Sequence, residues 1–366
     1  MNNFQTTVSE RVEQLGRIKI LLDLLKLAGE RDESFPTTSN IITMNEQVFL
    51  RKMNSEECKK LKNGCGCSCT DDDWSKLYLL LPSSSDQTKD YSSQLQSRIS
   101  NTHFHGFIVF DLTTTTKEDV NPASISDWLR IPPGIHSNLF ISDSFLHINS
   151  RVYRNSFVSR TFVGSRTVIM NCGHISYNVD NISCFGKLQI SVGSESQGGR
   201  ALLVNAESTM IDVAQQLQLR NETPARTVQT IPILPSYTTT DGVSKSSDSS
   251  VCSTPFNVIS HGAIIRDTAT VQNVYLYPSS SVQAACAIQN CVLLPNAQIR
   301  NNSVVINVLM QWSSEISDNS KMKNSLIMEH SCCGPSSIVD STIIGPDTHR
   351  SEEHTSELQS RQYLVC

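Results

Sequence analysis

Two histidines inside a patterned stretch of the chain carry the chemistry most open to it. His261 lies in Ser260-His-Gly262 and His330 in Met328-Glu-His-Ser331. An imidazole changes charge near neutral pH, so either ring suits a general base that takes a proton from a hydroxyl or amine. Glu329 adjoins His330, but adjacent residues on a strand face opposite ways, so Glu329 does not orient the ring. The plainer reading of both is a corner or surface residue. Gly198-Gly199-Arg200 is a second candidate, because flexible backbone N–H groups beside a guanidinium suit a phosphate. It lacks the context of a P-loop or a G-x-G-x-x-G turn, and a turn with a solvated Arg explains it equally. His103 and His105 share one face if they lie on a strand. Cys65-Gly-Cys67-Ser-Cys69 has C-x-C-x-C spacing rather than the paired C-x-x-C of zinc sites. Asp71, Asp72 and Asp73 are consecutive and point in different directions, as in a solvated turn. No metal site and no cofactor is assigned from these residues.

The element that must position such groups is a repeat. Val271-Gln-Asn273-Val-Tyr-Leu276-Tyr-Pro278, Ile288-Gln-Asn290-Cys-Val-Leu-Leu294-Pro295 and Ile338-Val-Asp340-Ser-Thr-Ile-Ile344-Gly345-Pro346 are copies of one module. Leu139, Phe145, Arg151, Phe157, Val163, Ile169 and Ile175 recur every six residues. So do Leu276, Val282, Ile288 and Leu294 and, after a change of register, Val304, Met310, Ile316, Met322 and Met328. Six residues turn an α-helix through about 600°, which scatters a column, and a flat strand needs a period of two. A period of six suits a triangular coil with one inward residue per short side, three hexads closing a coil of about 18 residues. Small and turn-forming residues mark the corners: Pro278-Ser-Ser-Ser, Pro295-Asn-Ala, Ser317-Asp-Asn-Ser and Gly334-Pro-Ser-Ser. Asn273, Asn290, Asn301, Asn324 and Asp340 recur at similar places, where their side chains can bond corner backbone. A buried column residue contributes about 2 kcal/mol. One coil has too few of them to offset its chain entropy, so stability has to come from stacking.

Composition narrows the class. The 366 residues carry 30 Lys and Arg against 35 Asp and Glu, a net charge of −5. That balance argues against nucleic acid as a partner. No apolar run approaches the roughly 18 residues of a membrane span, and Met1–Gln14 lacks the basic start and apolar stretch of a signal peptide. The expected location is cytoplasmic, off the membrane, and the 12 cysteines then read as thiols, those in the repeats as small core residues.

In order, residues 1–35 read as an amphipathic N-terminal helix and residues 36–136 as a cap region of helix and strand. In that cap, 45–62 is helical with Ser55 at a helix start, Lys76–Leu81 and Phe104–Leu112 are strands, and Pro82–Ser100 is an exposed polar insert. Residues 137–186 form a first β-helix block and 187–257 an insertion with a short helix around Ile211–Leu219. Residues 258–349 form a second block. Arg350-Ser-Glu-Glu-His-Thr-Ser-Glu-Leu-Gln-Ser360 resembles the translation of a common sequencing-library adapter. Residues 350–366 are therefore set aside as non-native, and the natural repeat is expected to continue past His349.

The hexads resemble the left-handed parallel β-helix of the trimeric LpxA-like superfamily. Phe49-Leu-Arg-Lys-Met-Asn-Ser-Glu-Glu57, Leu61-Lys-Asn-Gly-Cys65, Asp73-Trp74-Ser75, Pro133-Gly-Ile-His-Ser-Asn138 and Gly198-Gly199-Arg200 resemble, in that order, a long hexapeptide-repeat family of unassigned function. The resemblance implies a mostly β fold, a homotrimer, and a sugar or nucleotide-sugar ligand. If the protein is an acyltransferase, it implies an acyl thioester donor bound between subunits, with His261 or His330 as base. Two other readings stay open: a non-catalytic sugar-nucleotide-binding module with Arg200 on a phosphate, and a structural scaffold.

Overall fold

Each turn of the chain is short because a small or left-handed residue bends it at three places. In a computed structural model, residues 41–45, 48–69, 73–82, 89–113, 131–177, 187–192, 200–205, 208–218 and 256–350 are described. The expected helix over 7–29, Gly198-Gly199 and residues 351–366 lie outside them. The strand Thr270–Leu276 pairs in parallel with Ala287–Leu293, which pairs with Val304–Met310 and then Lys321–Ile327. Partners stand 17 residues apart, as in the side-chain bond from Asn273 to Asn290. A second sheet stacks Ile264–Arg266, Ser281–Gln283, Gln298–Ile299, Glu315–Ile316, Cys332–Cys333 and His349–Arg350 with the same offset. The corners hold residues with positive φ, one series being Ser279, Asn296, Ser313, His330 and Asp347 and another Asn273, Asn290, Asn307, Asn324 and Ser341. Asn tolerates this backbone better than other residues with a side chain. Its amides also bond along the stack, Asn273 Nδ2 to Asn290 Oδ1 and Asn307 Nδ2 to Asn324 Oδ1, both at 2.9 Å.

A coil of 17 rather than about 18 residues corrects the column. One side of the triangle is a residue shorter, so inward positions follow a 5-6-6 rhythm. They run Ile135, Ile141, Leu146, Val152, Val158, Val163, Ile169 and Ile175, and resume at Ile259, Ile265, Val271, Leu276, Val282, Ile288, Leu293, Ile299, Val305, Met310, Ile316, Met322, Ile327, Cys333, Val339 and Ile344; all are buried in one cluster. The strict period of six drifts out of this column. Leu139 is 72 % exposed, and Phe145, Arg151, Phe157, Leu294, Val304 and Met328 are absent from the inner cluster. The register change seen in the sequence is this shorter side. The result is a left-handed parallel β-helix of hexapeptide repeats, mostly β.

The insertion lies against the stack. Strand partners on its two sides are 96 residues apart instead of 17, as at Thr161 and Asn257. Within it Lys187–Val192 and Arg200–Asn205 pair antiparallel, followed by a helix, Met210–Gln218. Leu188, Ile190, Leu202, Val204 and Val213 pack on outward Tyr277, Val292, Leu294, Leu309, Leu326 and Met328. Gln311 Nε2 donates to Ser208 O at 2.7 Å and Asn307 Nδ2 to Gln189 O at 3.0 Å. Leu294 and Met328 are therefore apolar because the insertion covers them.

The cap departs from expectation in three details. Val48–Lys52 is a strand, and the helix is Ser55–Gly64 with Asn54, not Ser55, as its cap. The Glu57 side chain is fully buried and bonds the Arg51 guanidinium, Asn54 N and Tyr91 N. Residues 89–100 are not a solvated insert: a short helix, Ser92–Gln96, brings Tyr91, Leu95 and Ile99 into the core.

Candidate functional site

The three sequence candidates do not meet. His330 and Glu329 are exposed, and His330 holds a corner at φ 55 with its N–H on Trp312 O. His261 sits on the same edge, with Ser165 Oγ 2.6 Å from its Nδ1. Four coils separate the two histidines, about 19 Å at roughly 4.8 Å per strand. Arg200 begins an insertion strand opposite Val192.

The structure assembles a different histidine. The strand His103–Asp111 pairs with Ser68–Cys69 at its start and with Leu77–Pro82 at its end. Between His105 and Ile108 its register against Ile141–His147 shifts. Gly106 makes this bulge at φ +65, where any side chain would collide with the Asp143 carboxylate; Asp143 Oδ1 accepts the Phe107 N–H at 3.0 Å. A bulge re-aims the side chains beside it. Here it presents His105 to the one-turn helix Asp73–Lys76. His105 Nδ1 lies 2.7 Å from Asp73 Oδ2, and Lys76 Nζ lies 3.0 Å from Asp73 Oδ1. The Asp73 carboxylate is 3 % exposed and the His105 side chain 51 % exposed. An ionised carboxylate only accepts, so the proton of the neutral ring sits on Nδ1 and Nε2 keeps its lone pair. A buried carboxylate on one nitrogen, with the ring open to solvent, is how a general base is held.

The surroundings are flat and aromatic. His103 and His105 both lie near the Phe140 ring, at centroid distances of 5.4 and 5.6 Å, and His103 Nδ1 is 2.8 Å from Ser68 Oγ. Phe140, Phe157 and His174 continue the stack along the coil at 5.3 and 4.6 Å. Ser142, Ser159 and Ser176 run beside it, Ser142 Oγ donating to Ser159 Oγ at 2.8 Å. Among the described residues no three His, Cys, Asp or Glu side chains converge for a metal ion. Burial pushes the thiols of Cys172 and Cys291 up to about 12, which makes them packing groups rather than nucleophiles. Cys65 and Cys67 are likewise buried in the core.

The pair was hidden in the sequence because Asp73 read as one of three turn acids and His105 as half of a bare His-x-His. The available signal was Gly106 inside an apolar strand, which marks a bulge or a close approach.

Comparison with known proteins points the same way as the coil. Residues 243–322 match the model of the GlmU-like C-terminal hexapeptide family. No curated protein matches the chain at significance. A crystal structure from Desulfovibrio desulfuricans G20, designated an acetyltransferase, is similar at 12 % identity over 69 % of this chain, with a TM-score of 0.17. This chain spans 58 % of that protein's length. So low a TM-score establishes no common superposition, and the assignment stands on the 17-residue coil, its left-handed corners and the repeat model. On those grounds residues 243–322 are similar to the GlmU-like C-terminal hexapeptide repeats, and the stack as a whole has the fold of a left-handed hexapeptide β-helix.

Proposed function

We propose that the protein is an acyltransferase of the hexapeptide-repeat type, with His105 as general base and Asp73 as its positioning residue. The observation that carries this is the 2.7 Å contact between His105 Nδ1 and the buried Asp73 carboxylate. His105 Nε2 takes the proton from a sugar hydroxyl or amine as that group attacks the carbonyl of an acyl thioester. The tetrahedral centre collapses, the C–S bond breaks, and the proton passes from His105 to the departing thiolate. Asp73 holds the ring in one tautomer and stabilises the imidazolium between the two transfers. A sugar or nucleotide sugar is the acceptor class.

Hexapeptide-repeat proteins are commonly trimers. Half-buried Phe140 lies beside His105 and stacks on half-buried Phe157, and with exposed Leu139 they would be covered by a neighbouring subunit in a homotrimer. The thioester then has a cleft between subunits to enter. His330 and His261 remain secondary candidates, four coils apart on one edge, with Ser165 Oγ 2.6 Å from His261 Nδ1. Thiol release from acyl thioesters, followed with a panel of amino sugars and nucleotide sugars, tests the proposal. Acceptor-dependent release is expected; its absence across the panel removes acyl transfer in favour of a binding or scaffolding role.

A further inference from the structure

A second cluster lies on the other sheet, away from His105. Arg151 starts the strand Arg151–Tyr153, beside Gly134–His136, which pairs in turn with Ile99–Ser100. Arg151 is 7 % exposed. Its Nε donates to Ile131 O at 2.8 Å, and among the described residues no carboxylate pairs with its guanidinium. Arg98 Nη1 donates to Pro133 O at 3.1 Å and has no carboxylate among them either. Tyr153 Oη takes the intervening carbonyl, Pro132 O, at 2.8 Å. His136 stacks on Tyr153 at 4.8 Å, with Ser100 Oγ 2.7 Å from its Nδ1. His136 Nε2 is sealed from water with no hydrogen-bond partner among the described residues. Gly134, at φ +150, allows this closeness, because a Cβ there would strike His136 Nε2 and Arg98 O.

Burying a guanidinium is costly unless a counter-charge meets it. One backbone carbonyl engages Arg151 Nε, and among the described residues no hydrogen bond is made by the terminal fork. That fork matches the paired oxygens of phosphate, and a second guanidinium with an imidazole suits a doubly charged tetrahedral anion better than a single carboxylate. Arg98 also acts on its neighbours: burial first and Arg98 second hold His136 below its ordinary range, and burial first, with Arg98 a smaller cause, lowers Arg151.

We propose that Arg98 and Arg151, with His136 and Tyr153, form an anion site that takes a phosphate group, either free phosphate or the phosphoryl end of a nucleotide. It is independent of the acyl-transfer assignment. Calorimetric titration of the full chain, in low-salt buffer without phosphate, tests it with two probes, inorganic phosphate and a nucleoside diphosphate. Saturable binding of at least one probe is expected. Loss of one charged hydrogen bond in Arg98→Gln should weaken it roughly tenfold, Arg98→Lys should lie between, and His105→Gln should bind as wild type. Tighter binding of the diphosphate assigns the phosphoryl end of a larger ligand; equal binding assigns phosphate itself. The melting temperature of each variant shows that it is folded, which matters most for Arg151→Gln. Absence of saturable binding by both probes overturns the site, as does wild-type affinity in folded Arg98→Gln. The chain's own Glu118, Asp119 and Asp127 precede Ile131. Phosphate binding that appears only when all three are replaced by amides would give the site to an internal carboxylate and also overturn the proposal.

Discussion

At the scale of single residues, the proposed catalysis turns on what Asp73 does for His105. Asp73→Asn keeps the shape but offers the ring an amide in place of a charge. The tautomer is then no longer fixed, and the imidazolium loses its counter-ion. Acyl transfer should fall by at least about tenfold, up to the 10²–10⁴ typical of losing a general base, while acceptor KM changes little. Steady-state kinetics of that variant check the assignment. His136 gives a stability prediction. Burial, then Arg98, lowers its pKa from the ordinary 6.5. The unfolded chain therefore binds the proton more readily than the folded one. The stabilising contribution is present above pH 6.5 and is lost as pH falls through the lower folded value. His136 is partly exposed, so the slope is modest; His136→Gln should flatten the fall in melting temperature below pH 6.5, as pH-dependent thermal unfolding would show. Neither residue was legible as a site. Asp73 and His105 are joined only once a bulge and a one-turn helix have formed, and no local pattern encodes a contact between that helix and a strand about 30 residues on.

At the scale of elements, the corner decides stability. Asn290 sits at φ 53 and accepts from Asn273 along the stack. Ala there meets the Cβ clash of a left-handed backbone and drops the ladder bond. Asn290→Ala should destabilise by about 1–2 kcal/mol and Asn290→Gly by less, measured by thermal or denaturant unfolding. The asparagine recurrence was visible in the sequence, and its structural role follows from it. The side-to-side rhythm was not. Each hexad looks complete by itself, and a side one residue short shows only as a slipped register. Leu294 and Met328 misled for a further reason: an apolar residue looks the same whether it faces the interior or an insertion folded onto the outside.

At the scale of the molecule, the apolar surface at Leu139, Phe140 and Phe157 predicts self-association. Light scattering after size exclusion should give three times the 40.6 kDa of one chain. Replacing Leu139 by Asp, at a position 72 % exposed in the single chain, should lower that mass without unfolding the protein. The fold class was readable at this scale because period and corner chemistry are repeated along the chain. A site occurs once, so repetition gave no help in finding it.

The central claim is that His105 moves the proton in acyl transfer. The most direct measurement compares wild type with His105→Gln in transfer of an isotope-labelled acyl group from thioester to acceptor, read by mass spectrometry on the product. The account predicts a drop of about 10²–10⁴ in rate, with the β-helix still folded. Labelled product formed by His105→Gln at the wild-type rate would contradict it.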